Sequence, residues 1–78
     1  MRRRMVTMPG DALVGKVGRV TGRVAPGVVG EVTVAIRGGS EAYFAHPYDG
    51  KEEIPRGSQV LIVDSAAPRT VYVTAYTS

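Results

Sequence analysis

His46 is the only histidine in 78 residues, so any Ser-His-Asp relay would have to run through it. Ser40 and Ser58 sit in turn-rich stretches, and neither carries the pattern of a nucleophile elbow. With no cysteine in the chain, a lone His is also a poor start for a metal site. His46 is therefore expected to be a strand-end residue that hydrogen-bonds locally and half faces solvent. Glu52 and Glu53 are adjacent, and extended neighbours point to opposite sides. They read as a solvated, solubilising pair rather than an acid-base dyad. Gly15-x-x-Gly18 has no helix-forming stretch behind it, so a phosphate-cradling loop is not supported. These residues predict no enzyme, no cofactor and no metal centre.

The net charge of +3 suggests an acidic partner until the charges are located. Three of the ten basic residues are Arg2, Arg3 and Arg4. From residue 5 onward the basic and acidic residues are equal in number, at seven each. Residues 1–10 are thus expected to be a disordered basic tail, and residues 11–78 a formally neutral domain. A basic tail suits an acidic surface of lipid headgroups or phosphates. No apolar run approaches the ~20 residues of a membrane span, and no apolar region follows the arginines as a signal peptide requires. As given, the chain is expected to be soluble.

Alternating apolar and polar residues identify the elements that must carry these side chains. Val32, Val34 and Ile36 alternate with Glu31, Thr33, Ala35 and Arg37, the period of a half-buried strand. Gly38-Gly39 is expected to join this strand to the next, in which Ala42, Phe44 and His46 share one face and Tyr43 and Ala45 the other. Asp11–Val24 reads as a long first strand bent or bulged at Gly15, Gly18 and Gly22, or else as a loop followed by a short strand. Pro26-Gly27 marks a type II turn. Residues 47–58 form the longest connection, with Ile54 its one aliphatic anchor. Val60-Leu61-Ile62-Val63 reads as a central strand, apolar on both faces, and 70–76 alternates again as a fifth. Glycines, prolines and β-branched residues leave no room for a substantial helix.

Five strands in so short a chain predict an all-β fold, a small five-stranded OB-fold barrel, with an SH3-like barrel as the alternative. Closure lets a chain near the lower size limit for a single core bury its surface without exposed edges.

Leu13-Val14-Gly15-Lys16-Val17-Gly18, Pro26-Gly27, Val32–Ile36, Tyr43-Phe44-Ala45, Ile54-Pro55-x-Gly57 and Val60–Val63 follow one another in this order and spacing. Together they resemble the C-terminal soluble domain of NfeD-like membrane proteins. The likeness runs from about Asp11 to Tyr76, and Arg69–Thr74 is similar to the closing strand of short actinobacterial, hence bacterial, members. The resemblance implies an OB-fold module attached behind transmembrane helices. It implies work with stomatin- or flotillin-like membrane scaffold proteins in membrane protein quality control. The serine-protease domain of long family members has no counterpart here, and the module brings no catalytic residues. On this reading Arg2, Arg3 and Arg4 are the positive flank of a membrane anchor, and the domain stands on the cytoplasmic face.

The expected function is therefore a non-enzymatic protein-interaction domain. Its expected contact surface is the hairpin Arg37–Tyr43 together with the loop Tyr48–Arg56. Arg37, Tyr43, Tyr48 and Arg56 are the candidate anchors, residue types that carry interfaces. The rival is an oligonucleotide-binding barrel using Arg19, Arg23, Arg37 and Phe44. Glu31 and Glu41 in the same hairpin and a neutral barrel disfavour nucleic acid. Self-assembly through a strand edge, giving a homo-oligomer, is the third reading.

Overall fold

The computed structural model describes residues 13–36 and 38–77. Arg2, Arg3, Arg4, the expected 1–10 tail and Arg37 lie outside them. Five strands follow in order: β1 (Val17–Gly22), β2 (Gly30–Ile36), β3 (Gly39–Pro47), β4 (Gln59–Ala66) and β5 (Thr70–Ala75). They close into a barrel in the order β1-β2-β3-β5-β4, with β4 returning to β1. Only the β3–β5 pairing is parallel; the other four are antiparallel. This crossover order makes the five-stranded Greek-key barrel of the OB type, and the SH3-like alternative is not taken.

The core is built by alternation. Val20, Val32, Val34, Ala45, Val60, Ile62, Val71 and Val73 point inward from the strands. β-Branched side chains suit both the strand backbone and a narrow barrel interior. Leu13, Val24 and Ile54 complete the cluster from outside the strands. Among the described residues no polar or charged residue is buried, so the interior requires no compensating polar network.

Three sequence expectations need correction. The first strand does not run from Asp11 to Val24. Leu13 is helical in conformation, Val14 and Gly15 form a turn, and strand pairing begins at Val17. The Gly15 N–H donates to the Ile62 carbonyl at 2.8 Å and Ile62 N–H donates to Lys16 O at 2.9 Å, so this segment lies along β4. The loop-then-short-strand alternative is the one adopted. The glycines also divide their roles. Register breaks between Val20 and Gly22, while Gly18 marks a close approach: a Cβ there would lie 2.6 Å from Val32 Cγ1.

The second correction concerns the β2–β3 hairpin. Gly39 already pairs with Ile36, so residues 37 and 38 make the connection, and Gly38 supplies the positive φ of 79°. The third concerns β4. Val60 and Ile62 are buried, but Leu61 and Val63 are only half-buried. In a closed barrel every strand has two neighbours and only one face meets the core, so no strand is central.

Candidate interaction surface

The strand order gives the barrel two ends built from different connections. At one end lie Leu13, the 37–38 connection and the turn at 67–69. At the other lie the 23–29 connection, the long 48–58 loop and Tyr76, whose N–H donates to Gln59 O at 3.0 Å. The predicted anchors are split between these ends. Tyr43 lies towards the first, next to Arg69, and Tyr48 and Arg56 belong to the second, while Arg37 is outside the described residues. Five residue steps along extended β3 and its exit separate Tyr43 from Tyr48, a span of about 16 Å.

Tyr43 is half-buried and packs on the core. The Arg69 guanidinium covers its ring, with Cζ 4.8 Å from the centroid. Arg69 Nη2 also donates to Glu41 Oε1 at 2.9 Å and to the Ala42 carbonyl at 2.8 Å. Tyr43 is thus engaged within its own chain. Arg69 was visible in the sequence as the end of a turn and the start of the closing-strand likeness, and nothing local signals its three contacts. They arise because β5 enters the sheet parallel to β3, with Phe44 N–H donating to Arg69 O at 2.8 Å.

The 48–58 loop crosses the other end of the barrel. Asp49 turns the chain by accepting from the N–H groups of Lys51 (2.8 Å) and Glu52 (2.9 Å). The Lys51 hydrogen bond, then the Glu52 one, hold the Asp49 carboxyl below the usual carboxylate range. Glu52 is not simply a solvated side chain. It is half-buried and accepts from Thr74 Oγ1 at 3.0 Å and Ala75 N at 3.3 Å, latching the loop onto β5, while Glu53 is exposed. Ile54 then enters the core and exchanges backbone hydrogen bonds with Val24 (3.0 and 2.7 Å). Its expected role as the anchor is the observed one. Arg56 is exposed in the turn that follows, where Gly57 N–H donates to Val20 O at 2.7 Å.

The residues of the nucleic-acid rival are dispersed. Arg19 lines a shallow groove of about 350 Å³ on the outer face of β1–β3, with Val17, Thr33, Ala35, Ser40 and Gln59. Among the described residues no aromatic side chain lines it. Phe44 stands one register row away, paired with Glu31, whose carboxylate accepts from Thr21 Oγ1 at 2.7 Å. Arg23 is exposed in the 23–29 connection. His46 is half-buried, and its ring lies 5.9 Å from that of Tyr72, tilted by 32°. The expected local hydrogen bond is replaced by this ring contact among the described residues. No group of three His, Cys, Asp or Glu side chains capable of holding a metal occurs among the described residues.

The chain matches the NfeD C-terminal domain family over residues 17–74, from the start of β1 to within one residue of the end of β5. It belongs to the NfeD C-terminal domain family. This NfeD domain is similar in fold to the soluble domain of the NfeD protein YuaF from Bacillus subtilis. The two are 29% identical with a TM-score of 0.73, over 87% of this chain and 79% of that one. It is similar in fold also to the soluble domain of a Corynebacterium glutamicum membrane protein implicated in regulation of membrane protease activity. There the identity is 24% and the TM-score 0.72, over 86% and 97% of the two chains. No curated protein matches the NfeD domain with significant similarity. Among its described residues no helix is long and apolar enough to cross a membrane.

Proposed function

We propose that this chain is a non-enzymatic docking domain of a membrane protein, and that it binds a stomatin- or flotillin-like scaffold and so contributes to membrane protein quality control. The observation that carries the reading is the family match across the whole barrel. The two similar structures support the membrane setting, both being soluble domains: one of a membrane protein implicated in regulation of membrane protease activity, the other of an NfeD protein. The chemistry agrees with it: the polar side chains that are fixed, Asp49, Glu52 and Arg69, hold the domain's own loops and turns. In this reading the chain continues from Leu13 towards a membrane anchor on the cytoplasmic side. Arg2, Arg3 and Arg4 then neighbour anionic headgroups, and the 37–38 and 67–69 end faces the bilayer.

Fractionation of cells producing the native protein tests the proposal, followed by cross-linking. The expected result is a membrane-pellet protein cross-linked to a stomatin- or flotillin-like partner. A wholly soluble protein that binds oligonucleotide with steep salt dependence, after deletion of Met1–Met8, would replace this reading with the nucleic-acid one.

A further inference from the structure

The outward face of β3 carries a stripe that the functional reading so far leaves unused. Phe44, His46 and Tyr48 fall two residues apart, on the parity opposite to the inward Ala45 and Pro47. Tyr72 of β5 pairs in register with His46 and packs on its ring. Val29 lies one step before Gly30, which pairs with Ala45, and so flanks His46 from the other side. Val29 is 64% exposed, Tyr48 57% and Phe44 53%. A domain with a wholly apolar core and this small a surface has no folding reason to leave three large apolar side chains together in water.

The rim of the stripe is acidic. Glu31 pairs in register with Phe44, and Asp64 with Tyr72. The Glu52 carboxylate is held at Thr74, the next outward position of β5. Of the nearby cations, Arg69 is paired with Glu41, Lys51 stands beside Asp49, and Arg23 is exposed in the 23–29 connection. Glu31, Asp64 and Glu52 border the stripe directly, so an anionic ligand laid along it meets carboxylates first. A ligand with apolar side chains and flanking Lys or Arg meets complementary charge.

We propose that this face docks a basic, apolar segment of a protein partner, with Phe44, Tyr48 and Val29 as its apolar anchors and Glu31, Asp64 and Glu52 as its charged rim. The proposal rests on the docking-domain reading and names the surface and the partner chemistry within it. Glu52 is fixed in place by its hydrogen bonds to Thr74 and Ala75, so that part of the rim is preorganised.

The test is an NMR titration of the full chain with a short amphipathic Leu/Lys peptide, its Leu/Glu counterpart and oligothymidylate. The Leu/Lys peptide is expected to shift the amides of Val29, Phe44, His46, Tyr48 and Tyr72. It should bind at least about tenfold more tightly than the Leu/Glu peptide, and the Phe44→Ser/Tyr48→Ser and Glu31→Gln variants should each weaken it. Val29→Ser, in a connection, is the second apolar variant should the double one fail to fold. Shifts centred elsewhere, equal binding of the Leu/Glu peptide, or oligothymidylate on this face would overturn the proposal. Cross-linking in cells separates the two levels. Equal capture of membrane proteins by the wild type and Phe44→Ser/Tyr48→Ser rejects this surface and leaves the docking-domain reading standing. No membrane protein captured by the wild type rejects that reading itself, and this surface with it.

Discussion

Arg69 lies across the ring of Tyr43, its guanidinium carbon 4.8 Å from the ring centroid, while Nη2 of the same side chain holds Glu41 and the Ala42 carbonyl. One side chain thus ties the start of β5 to the part of β3 that extends past the β3–β5 pairing. The ion pair is half-exposed and screened, so its own share is small. With the cation–π contact and the carbonyl hydrogen bond, Arg69→Ala is expected to cost about 1 kcal/mol, read from urea denaturation. Arg69 also has a φ of 47°, which glycine adopts without strain. Arg69→Gly should therefore cost less than Arg69→Ala. Equal losses would mean that the backbone at 69 is not strained.

Ile54 is the single aliphatic residue of its loop and is almost completely buried. Ile54→Ala removes three carbons from the core and leaves a cavity at the barrel end. A loss of about 2–5 kcal/mol is expected, enough to unfold a domain of this size, whereas Ile54→Val should cost only about 0.5–1.5 kcal/mol. Denaturation midpoints of the two variants check this. A mild Ile54→Ala phenotype would show that the loop is not needed to seal the barrel.

Two glycines that look alike in the sequence should respond oppositely to a methyl group. At Gly18 a Cβ meets Val32 Cγ1 at 2.6 Å and the Thr33 carbonyl oxygen at 3.0 Å. The carbonyl belongs to the β2 backbone and cannot move aside, so Gly18→Ala should cost about 1–3 kcal/mol. At Gly39 a Cβ meets nothing within 4 Å and the φ is not positive. Gly39→Ala should be neutral or stabilising by up to about 1 kcal/mol through the unfolded chain. Thermal midpoints distinguish the pair.

Asp49 gives the domain an acid-sensitive loop. Its folded carboxyl sits below the ordinary aspartate value of about 3.9, because two backbone N–H groups favour the charged form. A depressed folded value contributes stability above the unfolded value and loses it as pH falls through the folded one. The deficit in melting temperature of Asp49→Ala should therefore be full near neutral pH and shrink as pH drops below about 3.9. A deficit that stays constant down to strong acid would remove the charged-acceptor explanation.

Much of the barrel was legible in the chain, for reasons that differ between elements. Val32-x-Val34-x-Ile36 and Thr70–Ala75 alternate, and alternation is itself the condition for packing one face of a strand, so β2 and β5 could be located closely. Pro26-Gly27 and Ile54 were equally legible: Gly27 has a φ of 73°, and an isolated Ile among polar residues has only the core to go to. Alternation does not say which parity faces inward, however. Phe44, normally among the more buried residue types, faces out here, while Tyr43 packs on the core. β1 was overextended because Leu13, Val14 and Val17 carry no mark separating a plug, a turn and a strand.

The sequence by itself determined the fold class, the neutrality of the domain and the turns at Pro26-Gly27 and 67–69, because each depends on local periodicity, residue type or composition, and its motifs carried the family resemblance. Only the tertiary structure decided which residues share a surface. The parallel β3–β5 pairing brings Arg69 to Glu41 and Tyr43, and Tyr72 to His46, across more than twenty residues of chain. Such neighbours follow from how strands close a barrel, a long-range choice made by the whole core, and no short stretch of the chain encodes it.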